Sequence, residues 1–253
     1  MTAPLIHELQ EQGSRYGETH YESGCTEWNA TAMQSSIFDL PWNAALAVKT
    51  VILYLDNGLD YATFFAMVGH PEMPRPPGLF TDNGCMGLLT RTNDYRQGGF
   101  GTLKPVPKPV YNAFLMLNFL KNGHRLPVQR EAEPVDALAV LMPDGAIRVV
   151  LANYDEDIGR QPYATLTTLR VNTPDGRTRR CTRLLRADED HGNAHGEWVR
   201  MGRPGEDDRE AMDRIIEKAL ATDETPPETA PWEKGFQVTL PMPSPGIAFL
   251  EFR

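Results

Sequence analysis

Apolar and polar positions change their period once along the chain. Up to about Asn122, helical spacing alternates with short apolar runs, the pattern of βα units; beyond Leu126 the runs are strand-like and separated by turn residues. Leu5 and Leu9 among polar neighbours predict a short first helix, and Thr19 to Trp28 a strand. Asp39 and Pro41 open a second helix with Ala45, Val48, Ile52 and Leu55 on one face, and Asn57-Gly58 stops it. The run LDYATFFAMV, Leu59 to Val68, has the length and aromatic content of a strand. A loop rich in proline and glycine follows, to about Lys104. Loops beyond roughly 15 residues are uncommon in compact domains and often functional, so this one is expected to shape a site. From Pro109 a third helix carries Val110, Ala113, Phe114, Leu117 and Leu120 on one face, with Asn122-Gly123 as its stop. That stripe needs a sheet or barrel to cover it.

The second half predicts strands. Asp136 to Met142 and Ala146 to Tyr154 flank Pro143-Asp144-Gly145, where glycine supplies positive φ and proline a preset one, so they form a hairpin. Tyr163 to Asn172 and Thr178 to Leu185 flank a second turn of this type, Pro174-Asp175-Gly176, and Phe236 to Leu240 and Ile247 to Phe252 add two more strands. Six short strands with such turns indicate a β-sandwich. One helix is inserted, Gly205 to Leu220, with Glu206, Asp207 and Asp208 in its first turn and Met212, Ile215, Ile216 and Leu220 as its apolar face.

Composition narrows the function. Of 253 residues, 41% are hydrophobic, enough for a real core, and no apolar run reaches membrane length. The longest, Ala44 to Leu55, is broken by Lys49. With 25 basic against 34 acidic residues the net charge is -9, which leaves no field to attract nucleic acid. Cys25, Cys85 and Cys181 are far apart with no CxxC spacing, which argues against a zinc ribbon or a dense disulfide framework. His191 and His195, after Asp188, Glu189 and Asp190, have helical spacing but a glycine between them in sandwich territory, so no metal site is assigned; nearby Trp198 is expected to anchor the sandwich core. The residues after Met1 have neither the basic start nor the apolar stretch of a secretory signal, so the expected location is cytoplasmic by default, and unknown if the true N-terminus is missing.

The sharpest candidate chemistry is Cys25-Thr26-Glu27-Trp28-Asn29, at the C-terminal end of the first predicted strand. In a βα barrel that edge is the catalytic face, and a carboxylate there can point at a ligand while the neighbouring aromatic packs. Taken alone, such a glutamate is more often a solvated or salt-bridged strand-end residue.

Several segments change this weighting: TEWN, DYATFFAMV, NGCMGLLT, PVPKPVYNAFLMLN, HGNAHGEWVRMGRP and LPMPSPGIAFLEF, in this order. Together they resemble the last part of glycoside hydrolase family 39, the family of β-xylosidases and α-L-iduronidases, over roughly residues 19 to 253. The resemblance implies α/β plus all-β architecture: residues 1–124 as the last two βα units of a (β/α)8 TIM barrel, and 125–253 as the accessory β-sandwich with its inserted helix. It also implies retaining hydrolysis of O-glycosidic bonds with Glu27 as nucleophile and no cofactor. Trp28, Phe64 and Phe65 are candidates for stacking on a sugar face, or else they pack the core. Where the family has tryptophan on strand 8, this chain has Phe64-Phe65. Asn29 either orients the nucleophile or caps the next segment, and Glu72 is either a sugar-binding acid or a solvated loop carboxylate.

The family's acid/base lies in an Asn-Glu pair, and this sequence has no Asn-Glu dipeptide. Only 26 residues precede Glu27, whereas six βα units take most of the ~250 residues of a whole barrel. The expectation is therefore a truncated chain acting on a carbohydrate, partnered by a complementary barrel fragment or by a second copy. A non-catalytic carbohydrate-binding or assembly module is the alternative, and another retaining barrel family with the same glutamate is a third, disfavoured by the sandwich ending.

Overall fold

The computed structural model describes residues 3–16, 22–31, 35–67, 86–90, 105–131, 134–205 and 207–253. Helix α1 (Ala3–Arg15) precedes strand β1 (Gly24–Trp28), a 3-10 turn at Ser36–Asp39, helix α2 (Pro41–Asp56) and strand β2 (Tyr61–Phe64). Strands β1 and β2 pair in parallel through the α2 crossover, so this part is a βαβ unit. Both strands are shorter than the apolar runs suggest; residues 19–21 and Val68 lie outside the described residues. Pro41 at the first helical position and Asn57 as cap, with Gly58 at φ 67°, bound α2 where the sequence places its ends.

Helix α3 (Pro109–Asn118) leads into β3 (His124–Leu126), β4 (Val135–Leu141), β5 (Ile147–Asn153), β6 (Tyr163–Asn172) and β7 (Cys181–Ala187). Then come α4 (Ala194–Arg200), α5 (Arg209–Leu220), β8 (Asp223–Glu224), β9 (Thr229–Trp232), β10 (Gly235–Ser244) and β11 (Gly246–Phe252). Among the described residues these strands form a six-stranded sheet, β3-β4-β5-β11-β7-β8, and a three-stranded sheet, β6-β10-β9. All their pairings are antiparallel.

The six-stranded sheet is covered on both faces. Val149, Leu151, Ala248, Leu250 and Phe252 meet Val171, Phe236, Val238, Leu240 and Met242 of the smaller sheet. On the other face Leu138, Val150, Leu185, Ile247 and Phe249 meet Ala44, Ala45, Val48 and Ile52 of α2 and Ala113 and Met116 of α3. Strands β5 and β11 are therefore buried along almost their whole length, and read as continuous apolar runs rather than alternations. The stripe on α3 finds its cover in this sheet.

Several expectations change. The first Pro-Asp-Gly turn does close a hairpin, with Gly145 at φ 83° between paired β4 and β5. The second does not: β6 pairs with β10, and β7 joins the other sheet beside β11, so Pro174-Asp175-Gly176 carries the chain from one layer to the other. Leu55 is 44% exposed because α2 buries two stripes, one on the sheet and one, ending in Tyr54, on β1; Leu55 lies on neither. Helix α3 ends before Asn122-Gly123, with Phe119 as its C-cap, and Asn122 takes positive φ in the turn beyond.

Two helices, not one, sit between β7 and β8. The second starts at Arg209, because the Asp208 side chain caps it by accepting from the Ala211 N–H; Glu206 lies outside the described residues. Its face is Ala211, Met212, Ile215 and Ala219, while Leu220 is exposed. Trp198 packs with this face and Val106 in a satellite cluster rather than in the sandwich core, and its Nε1 donates to the Pro204 carbonyl at 3.1 Å.

Candidate active site

The ends of β1 and β2 lie side by side. Asp60 N–H donates to the Ser23 carbonyl at one end of the pair, and Phe65 N–H donates to the Trp28 carbonyl at the other, 3.0 Å away. At that C-terminal end the Asn29 side chain ties the strands further: its Nδ2 donates to the Phe65 carbonyl, and its Oδ1 accepts from the Ala30 N–H at 2.7 Å. Asn29 is thus a clamp between two strand ends.

The register contains a bulge. Cys25 pairs with Ala62 and Trp28 with Phe64, so β1 advances three residues while β2 advances two. Strict alternation would send Cys25 and Trp28 to opposite faces. The extra residue puts both against the helices: Cys25 packs with Tyr54 and Leu59, and the Trp28 ring meets Tyr54 edge-on at 5.7 Å. Between these two anchors Thr26 and Glu27 are exposed. Among the described residues no ion pair engages the Glu27 carboxylate.

Trp28 and Phe64 belong to one aromatic cluster. Their rings meet edge-on at 5.0 Å, and Phe114 of α3 closes the group at 6.2 Å from Trp28 and 4.9 Å from Phe64. These contacts are packing, worth about 0.5–1.5 kcal/mol per ring pair beyond area burial. The Trp28 Nε1 is buried with no hydrogen-bond partner among the described residues. Phe65 is half-buried beside the Asn29 clamp. Glu72 and most of the long loop lie outside the described residues. The loop's described part, residues 86–90, returns to this edge, where Leu88 N–H donates to the Ala66 carbonyl at 3.0 Å and Lys108 N–H to the Leu88 carbonyl at 2.9 Å.

Two neighbours of the site carried no signal as site residues: Tyr54, which is not on the apolar face read for the second helix, and Phe114, which is on that of the third. Nothing in local periodicity says that either ring meets Trp28. The Tyr54 hydroxyl lies 3.9 Å from Cys25 Sγ, and burial, then Cys25, pushes its pKa up to about 12.

The histidine pair has another role. His191 Nδ1 is 2.8 Å from Asp188 Oδ1 and its Nε2 3.5 Å from Glu224 Oε2, while the His195 ring lies against Trp198 at 5.8 Å. Among the described residues no group of three or more His, Cys, Asp or Glu side chains could hold a metal ion, and no helix is long and apolar enough to cross a membrane. Cys25 and Cys181 are free thiols; Cys85 lies outside the described residues.

The parallel βαβ unit with a bulged glutamate at its strand end, joined to a two-sheet sandwich, has counterparts among known proteins. The family model Glycosyl hydrolases family 39 matches residues 20–233. The chain belongs to glycosyl hydrolase family 39. A beta-xylosidase of Caldicellulosiruptor saccharolyticus is 27% identical over 198 residues, which is 76% of this chain and 36% of that protein. Among solved structures, a GH39 beta-xylosidase from Caulobacter crescentus superposes with a TM-score of 0.70 at 17% identity, covering 99% of this chain and 48% of that one. The GH39 enzyme from Xanthomonas axonopodis pv. citri gives 0.67 at 16%, covering 90% and 44%. The chain thus spans about a third to a half of the length of these family 39 relatives.

Proposed function

We propose that this chain is the C-terminal portion of a retaining family 39 glycoside hydrolase acting on β-xylosides or related glycosides, with Glu27 as nucleophile. Residues 1–124 are, in this reading, the last two βα units of a (β/α)8 barrel and 125–253 its accessory sandwich. One observation carries it: the bulge at the C-terminal end of β1 holds Glu27 exposed between two helix-facing anchors, at the edge where barrel enzymes place their chemistry. The Glu27 carboxylate attacks the anomeric carbon, the bond to the leaving oxygen breaks with its electron pair, and water later cleaves the glycosyl ester with retained configuration. Asn29 fixes the strand ends around it and Phe65 stands nearest the sugar in this reading, whereas Trp28 and Phe64 support the site by packing.

The acid/base comes from outside these 253 residues, since the sequence holds no Asn-Glu dipeptide. A complementary barrel portion is the partner that supplies it.

The test is trapping. A 2,4-dinitrophenyl 2-deoxy-2-fluoro-β-xyloside needs no proton donor for its leaving group, so the purified chain is expected to acquire one fluoroxylosyl mass on the peptide holding Glu27. Glu27→Gln is expected to acquire none. No label on the wild-type chain, or label on another residue, overturns the assignment; robust hydrolysis of xylobiose would show that the chain holds its own acid/base.

A further inference from the structure

The bulge that exposes Glu27 breaks regular pairing, and a bulge in a two-stranded parallel sheet needs something to hold its shape. Two side chains do so. Cys25 Sγ donates to the Glu27 carbonyl at 3.4 Å, closing a short ring across the bulged residues. The Tyr54 hydroxyl donates to the same sulfur from α2 at 3.9 Å. Cys25 is 8% exposed and Tyr54 6%, and both pack with Leu59 against Trp28. Helix α2 is anchored in turn on the six-stranded sheet through Ala45, Val48 and Ile52.

We propose that Cys25 and Tyr54 are positioning residues for Glu27, forming a relay from the hydroxyl on α2 through the thiol to the Glu27 backbone, which fixes the direction of the carboxylate. The inference rests on Glu27 as nucleophile for its catalytic meaning, but the relay itself is a property of the backbone. Tyr54 stays protonated, hence a donor, until its pKa near about 12. Removing either group frees the bulge to relax toward regular pairing, and small misplacements of a reacting group cost one to two orders of magnitude in rate.

Trapping by the same fluoroxyloside, analysed as kinact and KI, is run beside amide hydrogen exchange of residues 25–28. Cys25→Ala and Tyr54→Phe are expected to lower kinact roughly tenfold at nearly unchanged KI. Both should also speed exchange at Thr26 to Trp28 while β4 and β5 keep their protection. Cys25→Ser, which retains a donor, should recover most of kinact. Unchanged exchange at residues 26–28 in both variants overturns the relay, as does a kinact within twofold of wild type, whatever happens to thermal stability. If the wild-type chain takes no label, the nucleophile reading fails on its own, and exchange alone decides whether Cys25 and Tyr54 hold the bulge.

Discussion

Lys108 Nζ lies 2.5 Å from Asp39 Oδ1, and both side chains are shut off from water, at 0% and 3% exposure. Asp39 ends the turn before α2 and Lys108 caps the start of α3, so one ion pair locks together the starts of the two helices that cover the six-stranded sheet. Removing one partner leaves a buried charge without its counter-charge, which costs about 3–5 kcal/mol, while replacing both by apolar groups is often nearly neutral. Lys108→Met is expected to destabilise the chain by that amount in urea unfolding, and Lys108→Met with Asp39→Leu by much less.

The raised pKa of Tyr54 makes stability depend on alkaline pH. The folded state holds this proton until about 12 while the unfolded chain loses it near about 10, so the contribution is complete below pH ~10 and disappears as pH rises through ~12. Urea midpoints between pH 9 and 12 are expected to fall more steeply for wild type than for Tyr54→Phe. The difference is on the order of 2 kcal/mol.

Phe114 reaches the candidate site through Trp28 and Phe64. Phe114→Ala opens a cavity under both rings and is expected to cost about 3 kcal/mol, the low end for such a change because the ring is partly exposed. Phe114→Leu should cost far less. In the fluoroxyloside assay the alanine variant should label more slowly, since the anchor on one side of Glu27 has lost its support.

Some of this architecture could be read from the sequence and some could not. The bounds of α2, β6 and the β4–β5 hairpin follow local signals: Pro41, Gly145, and apolar runs between turn residues. Partner choice does not. Pro174-Asp175-Gly176 has the chemistry of a hairpin turn, yet which strand lies beside β6 is decided by the packing of two layers, and β10 takes that place. Strands β3, β8 and β9, of three, two and four residues, are too short to show a period. Near Glu27, the motif drew attention to Trp28, Asn29, Phe64 and Phe65, and the structure gathers them at one pair of strand ends. The bulge stayed hidden because register is a relation between strands. Asp39 drew attention only as a helix start and Lys108 only within PVPKPVYNAFLMLN, since a buried pair between residues distant in sequence leaves no local pattern.

Phe249 on β11 meets the tilted ring of Phe119, the residue that ends α3, at 5.2 Å in the cluster shared by α2, α3 and the six-stranded sheet. Because the helices and the sheet bury the same apolar face, neither can lose its partner without exposing that face to water. Phe249 is 1% exposed, so Phe249→Ala removes contacts on both sides of the interface and is expected to cost about 3–5 kcal/mol. The loss should appear in one transition: near-ultraviolet circular dichroism and exchange protection in α2, α3, β5 and β11 fall at the same urea concentration. If the helices melted first while the two sheets kept the wild-type midpoint, the shared cluster would be a contact between independent units, and the trapping experiments on Glu27 would have to allow for a βαβ unit that opens without the sandwich.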